Sequence, residues 1–301
     1  MTFEFHPDES LRRGVRRLAR AELEAGIAEL DTWRTQPDVA IHDVRRRLKR
    51  VRALLHLVRA VFPRVRRENA AVRDAARLLA PARDATARIQ CLDDLVEHDP
   101  GPVATTDVAT LRAVFVARHD DASAPKRLKR RIGEAREILE AVHRRARGWT
   151  VSTRDIDAAY DGLRRSYRDG RRVLGLAMQD PDAEDFHDWR KDVKSLWYQV
   201  ALFRPLAPRA VARVHDESGR LGWTLGHEHD LTTLRRAVTD GSMPALDDRA
   251  FVVLVDAIDR RRTADRRLAL RLGRTLYDAR PREFIAALRA DEPEPSAEPV
   301  H

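Results

Sequence analysis

Residues 41–52 read IHDVRRRLKRVR, and residues 186–197 read FHDWRKDVKSLW. A helix turns about 100° per residue, so spacing converts into faces. In the first stretch His42, Arg45, Arg46, Lys49 and Arg52 form one stripe, which Arg59 extends at its edge. Val44, Leu48, Val51, Leu55, Val58 and Phe62 lie roughly opposite and supply the packing face. The second stretch repeats both sides. His187, Arg190, Lys191 and Lys194 line the basic face, with Tyr198 where the first copy has Ala53. Trp189, Val193, Leu196, Val200 and Phe203 line the apolar face. The period is helical in both places.

The likeness extends outward from these two helices. Aligning His42 with His187 pairs Asp43 with Asp188, Arg45 with Arg190, Arg46 with Lys191, Lys49 with Lys194 and Arg59 with Arg204. Farther on, LAPARDA (79–85) stands opposite LGHEHDL (225–231), one residue out of that offset. Arg83 then faces His229, and Asp84 faces Asp230. Upstream, LRRGVRRLAR (11–20) and LRRSYRDGRR (163–172) are both basic helix starts. Matches at three separated places mark an internal duplication. Two copies of a bundle unit around a shared axis would present equivalent faces to one central space. Gly148 is the expected boundary, giving halves at 5–148 and 149–290 and an acidic, Pro-rich, disordered tail at 291–301.

Composition agrees with an all-α fold. Hydrophobic residues make up 43% and charged residues 35% of the 301-residue chain, and Gly and Pro are sparse. Many intervals are rich in the helix formers Ala, Leu, Arg and Glu. Helical patterns run over about 8–31, 38–62, 66–98, 104–119, 124–147, 154–178, 183–204, 208–238, 245–272 and 281–290. Breakers such as Pro37, Pro63, Pro100-Gly101-Pro102, Pro181, Pro205, Gly241, Pro244 and Pro281 punctuate them. Asp38 and Asp182 are expected as N-caps. The single cysteine, Cys91, excludes a disulfide scaffold or a thiolate cluster. With no long apolar run or basic-then-apolar leader, the expected location is the cytoplasm.

The net charge is +9. Positive residues at i, i+3, i+4 and i+7 repel one another, and the stripe holds no acid of its own, since Asp43 and Asp188 fall to one side. Phosphate oxygens along a polymer would neutralise such a row through charge-assisted hydrogen bonds. From His42 to Arg59 the row is about 26 Å long, which suits a chain of phosphates better than a single one. Further rows of helical spacing are Arg13, Arg16, Arg17 and Arg20; Lys126, Lys129 and Arg130; Arg164, Arg168 and Arg171; and Arg267, Arg271 and Arg274. These read equally well as solvated surface. Arg144 and Arg145 share a helix with Glu134, Glu137 and Glu140, so they read as ordinary surface.

No Gly-rich phosphate loop, HExxH, GxSxG or Cys/His relay is present, and no catalytic residue, metal or cofactor is expected. HEHD at 227–230 looks metal-like alone, but i and i+2 point to different faces and PARD offers no matching ligands. His42 and His187 fit phosphate donors whose charge a bound polyanion favours; the alternatives are a helix-start cap or a metal ligand, the latter opposed by the flanking Arg and Lys.

Taken together, HDVRRRLKRVR, FHDWRKDVKSLWYQ, the Arg83-Asp84 pair and LGHEHD at 225–230 resemble the two halves of a CHAD domain, the histidine-bearing α-helical domain. YDGLRRSYRDGRR (160–172) and RLALRLGRTLY (267–277) add to the likeness, which spans about residues 5–290. The resemblance implies two four-helix-bundle-like halves around a basic central cavity. It implies binding of inorganic polyphosphate, association with polyphosphate granules and, through these, contact with granule proteins. By position it assigns the ligand to His42, Arg45, Arg46 and Lys49, and to His187, Arg190, Lys191 and Lys194. Arg83 fits the family's later Arg-Asp pair. His229 departs from it, and Ala80 stands where the second copy has Gly226. The alternatives are a helical nucleic-acid-binding protein, a phosphohydrolase, and a polyanion-regulated scaffold for another protein. Base readout would want Asn, Gln or aromatic residues among the cations, and only Trp197 and Tyr198 offer this.

Overall fold

The chain is described by a computed structural model covering residues 2–98, 108–179, 183–240 and 248–292, with the backbone alone at 183–185. Among these residues all regular structure is helical. In order come α1 (Leu11–Glu29), a 3-10 turn (Leu30–Arg34), α2 (Pro37–Leu57), α3 (Val65–Leu78), α4 (Ala80–His98) and α5 (Val108–Ala122). Then follow α6 (Pro125–Ala146), α7 (Asp157–Gln179), α8 (Ala183–Ala201), α9 (Pro208–Thr239), α10 (Asp248–Leu276) and α11 (Pro281–Ala290). None of the described helices is long and apolar enough to cross a membrane.

The apolar faces predicted for α2 and α8 are the core. Val44, Leu48, Val51, Leu55, Val58 and Phe62 are buried, as are Trp189, Val193, Leu196, Val200 and Phe203. They join α1, α3, α6, α7 and the near parts of α9 and α10 in one continuous apolar cluster. A second cluster, around Leu92, Phe115, Leu234 and Ile258, ties the far ends of α4, α5, α9 and α10 together. The main helix pairings are α1 with α2 and α6, α3 with α6, and α4 with α5 and α9; α7 packs on α8, α10 and α11, and α9 on α8 and α10. Helix α2 also packs along α8. At Gly162 the backbone of α7 approaches the Leu57 carbonyl so closely that any Cβ would collide with it.

Three expectations change. The pattern at 66–98 is two helices, because Pro81 has no N–H to give and its ring crowds the carbonyl four residues back. Asp38 is not an N-cap. Gln36 precedes the helix, Pro37 opens it, and the Asp38 carboxylate instead accepts from Thr86 Oγ1 at 3.3 Å. Helix α2 stops at Leu57, so Arg59 leaves the line of the stripe. Asp182, the breakers at 100–102, 181, 241 and 244, and the tail beyond Glu292 lie outside the described residues. The connection after Gly148 is pinned rather than loose: Trp149 packs on Phe62 with ring centroids 5.1 Å apart, and Ser152 N donates to Val61 O at 2.8 Å.

Candidate functional site

Helices α2 and α8 lie side by side, and the basic stripes meet at their seam. Gln199 Nε2 donates to the Ala53 carbonyl at 3.0 Å and locks the two together near their C-terminal ends. Toward the N-terminal ends, Lys49 shares one space with Arg45, Arg190 and Lys194, and with Arg83 from α4. Burial, and then repulsion from these four, lower the Lys49 pKa to about 8. Yet Lys49 is exposed. Protein crowds its stem while the side chain still meets solvent. Burial also works against the charge of Arg45 and Arg190, with Asp84 the main offsetting acid for the first and Asp230 for the second.

The surrounding helices shape this space. In α9, Gly222 and Gly226 face α8. A Cβ at Gly222 would sit 3.3 Å from Lys194 Cδ and Cε, and one at Gly226 would sit 3.9 Å from Arg190 Nε. The bare backbone leaves a lane for the Lys194 stem, whose Nζ lies 5.2 Å from the centre of the Trp197 ring. Arg45 Nη1 donates to the Ala76 carbonyl at 2.7 Å, satisfying one of the last carbonyls of α3. Arg83 Nη1 and Arg190 Nε are buried and find no acceptor among the described residues. A buried cationic donor without an acceptor forfeits its hydration. Next to them, Asp84, Arg88, His229, Asp230 and Thr233 border a small cavity of about 100 Å³.

The outer stripe behaves differently. Arg46 holds Asp43 at 3.0 Å, and Lys191 holds Asp188 at 2.8 Å. The sequence expectation of a stripe without its own acids therefore fails in both copies: the aspartate three residues earlier neutralises the outer cation. The inner cations face the opposite helix, out of its reach. Arg52 turns to α3, where Asn69 accepts from it at 3.1 Å. Arg59 turns to α7 and meets Asp169 at 2.9 Å.

Burial and neighbouring cations disfavour the charged forms of His42, His187 and His229. His42 is exposed near Arg83 and Lys49, and its pKa is lowered, first by burial and then by Arg83. His187 stacks on His229 with ring centroids 4.6 Å apart, and their Nδ1 atoms lie 3.1 Å apart. Burial, then Arg190, push the His229 pKa down to about 4. In the HEHD run the side chains diverge as i, i+2 spacing requires: His227 meets Asp265 at 2.6 Å, Glu228 accepts from Arg266 at 2.9 Å, and His229 meets His187. No group of three or more metal-ligating side chains exists among the described residues.

The remaining rows are scattered over the molecule. Arg17 binds Glu9 and the Glu4 carbonyl, and Arg171 donates to the Ala279 carbonyl at 2.7 Å, so both serve the fold. Arg20 lies beside His143, and Arg130 reaches Glu134 at 3.6 Å. Arg13, Lys126, Arg267, Arg271 and Arg274 are exposed on outer faces. Arg164 and Arg168 face a different cavity, at the start of α11. Tyr198 is half-buried beside Arg50 and Arg46. Arg88 and Gly222 were not among the residues expected at the site. Neither recurs in the other copy, so the repeat carried no signal for them.

A protein-family model described as the CHAD domain matches residues 11–239. No curated protein matches the chain. Among solved structures, the crystal structure of the CHAD domain from the plant Ricinus communis is similar, with a TM-score of 0.53 and 17% sequence identity. The match covers 96% of this chain and 95% of that one, and at this identity it establishes likeness of fold.

Proposed function

The chain belongs to the CHAD domain family, and from that premise we propose that it binds inorganic polyphosphate along the α2–α8 seam without turning it over. The observation that carries this reading is the grouping of Arg45, Lys49, Arg83, Arg190 and Lys194 about the seam, with Arg83 Nη1 and Arg190 Nε buried and lacking acceptors. A chain of phosphates supplies acceptors at regular intervals, and each neutralises charge that the apo site leaves in mutual repulsion. The acids nearby, Asp84 and Asp230, face arginines rather than converging with a third carboxylate.

The site is best understood as the axis of a duplicated protein. Helix α1 pairs with α2 and α6 as α7 pairs with α8 and α10, and α4 pairs with α5 as α9 does with α10. On this reading α3 and α4 together correspond to α9, and α5 and α6 to α10, so the halves at 5–148 and 149–290 share four helical units and the second half adds α11. Lys49 meets Lys194 at the same offset that aligns His42 with His187. The cellular expectation is a cytoplasmic protein bound to polyphosphate granules and near their proteins.

Side-by-side titration with long-chain polyphosphate, duplex DNA, RNA, ATP and phosphate at matched charge tests this. Polyphosphate should bind most tightly, with affinity rising with chain length, and it should be recovered at full length with or without Mg²⁺. Tighter, length-independent binding to DNA would move the assignment to nucleic acid.

The perturbed groups also predict linked protonation. A polyanion raises the pKa of Lys49 above the value of about 8 it has in the free protein. Binding at pH 8 should therefore take up as much as about half a proton at that site, and affinity should fall as pH rises through 8. The lowered histidines act in the same direction below neutrality. Calorimetry in two buffers of different ionisation enthalpy measures the uptake. Lys49→Arg should reduce it at pH 8; unchanged uptake in that variant would remove Lys49 from the site.

A further inference from the structure

A second basic cavity lies away from the seam, where the start of α11 meets α7. It holds about 660 Å³ and is lined by Arg164, Arg165, Arg168, Arg280 and Arg282, with Glu283 the one acid in its wall. Helix α11 falls beyond the residues matched by the family model. The Glu283 carboxylate is already engaged, since Arg280 N donates to it at 2.8 Å. On α7, Arg164 reaches Asp161 at 3.0 Å, while Arg168 shares Asp169 with Arg59. Arg165 sits between them, and its Nε is buried with no acceptor among the described residues. Burial, followed by repulsion from Arg59, disfavours its charge.

Five arginines lining a space of this size match an anion carrying several charges on closely spaced oxygens. Phosphate groups meet that description and accept the planar fork in pairs. We propose that this α7–α11 cavity is a second binding site, for a short run of linked phosphates, separate from the seam. The choice of linked phosphates as the ligand rests on the function proposed above; the site itself rests on its own arginines.

The packing of this corner allows a test that leaves the protein folded. Helix α11 is held by Phe284 and Leu288, both buried, with Phe284 stacked on Tyr167 at 4.1 Å. Arg168 and Arg282 are exposed, and a glutamate at 282 would lie in the first turn of α11, where negative charge is favoured. Calorimetric titration of the full chain with inorganic tripolyphosphate should reveal two sites. R168E/R282E should lose one of them, weakened by about tenfold or more. K49E/K194E should lose the other, and the combined variant should lose both. R168Q/R282Q, which removes charge without reversing it, should weaken the same site less. If folded R168E/R282E keeps wild-type stoichiometry and affinity, the second site does not exist. If K49E/K194E changes nothing while R168E/R282E abolishes binding, the seam reading fails and the α7–α11 site stands.

Discussion

Reversing Lys49 and Lys194 to glutamate should bring polyphosphate binding at the seam close to background, while reversing Arg46 and Lys191 should weaken it far less. Both pairs belong to the same repeated stripe, so the contrast isolates position from charge. Lys49 and Lys194 repel each other and Arg190 in the free protein, and a bound anion relieves that repulsion. Arg46 and Lys191 already have Asp43 and Asp188, so an anion must compete with an existing pair. The lysines are cleaner targets than Arg45, whose hydrogen bond to the Ala76 carbonyl supports the end of α3. Every phosphate that the variant no longer neutralises should lower the salt dependence by about 0.7 in log–log slope, so the inner pair should lower it by roughly 1–2. The unliganded K49E/K194E protein should stay folded, since the change removes like-charge crowding. Affinity measured against salt concentration for both variants decides the matter. A folded inner-pair variant with wild-type affinity and slope would mean the seam is not where the polymer binds.

The largest expected loss of stability comes from a residue that the sequence marks as neutral surface. Arg145→Ala should cost about 3 kcal/mol, because it strands a buried carboxylate. Glu68 is 1% exposed, and Arg145 holds it with two parallel bonds, Nε to Oε1 at 2.9 Å and Nη2 to Oε2 at 2.8 Å. Arg144, its exposed neighbour, should change stability by no more than about 0.5 kcal/mol when replaced by alanine. Arg145→Ala with Glu68→Gln should recover part of the loss, because an amide left without its partner is far less costly to bury than a carboxylate. Urea denaturation of the four proteins measures this. Equal stability of the two single arginine variants would show that the Glu68 pair contributes little. Binding controls should therefore use Arg144 alone.

The contrast between Arg144 and Arg145 shows what was legible. In sequence the two are adjacent arginines in a helix rich in glutamate. The partner that separates them, Glu68, lies 77 residues away and on another helix. Periodicity cannot report such a partner, whereas it does report which side of a helix is apolar. Helices α2 and α8 were therefore readable in detail, down to the buried Trp189 and Val200. So was the correspondence between them, since a fixed offset between like residues survives in the text of the chain.

What the sequence determined by itself was the all-helical character, the two amphipathic helices and the existence of a doubled basic stripe, because each depends on spacing within one segment. The tertiary structure decided which cations are neutralised within their own helices or turned away, and which are brought together at the seam. Asp43 and Asp188 take the outer ones within their own helices, Leu57 ends α2 before Arg59, and Ala76 accepts from Arg45. Lys49, Arg83, Arg190 and Lys194 are left to crowd one another, their helices held in place by packed cores and by the bare backbone at Gly222. Charge placement depends on what lies within a few ångströms in space, and in this chain those neighbours come from helices far apart in sequence.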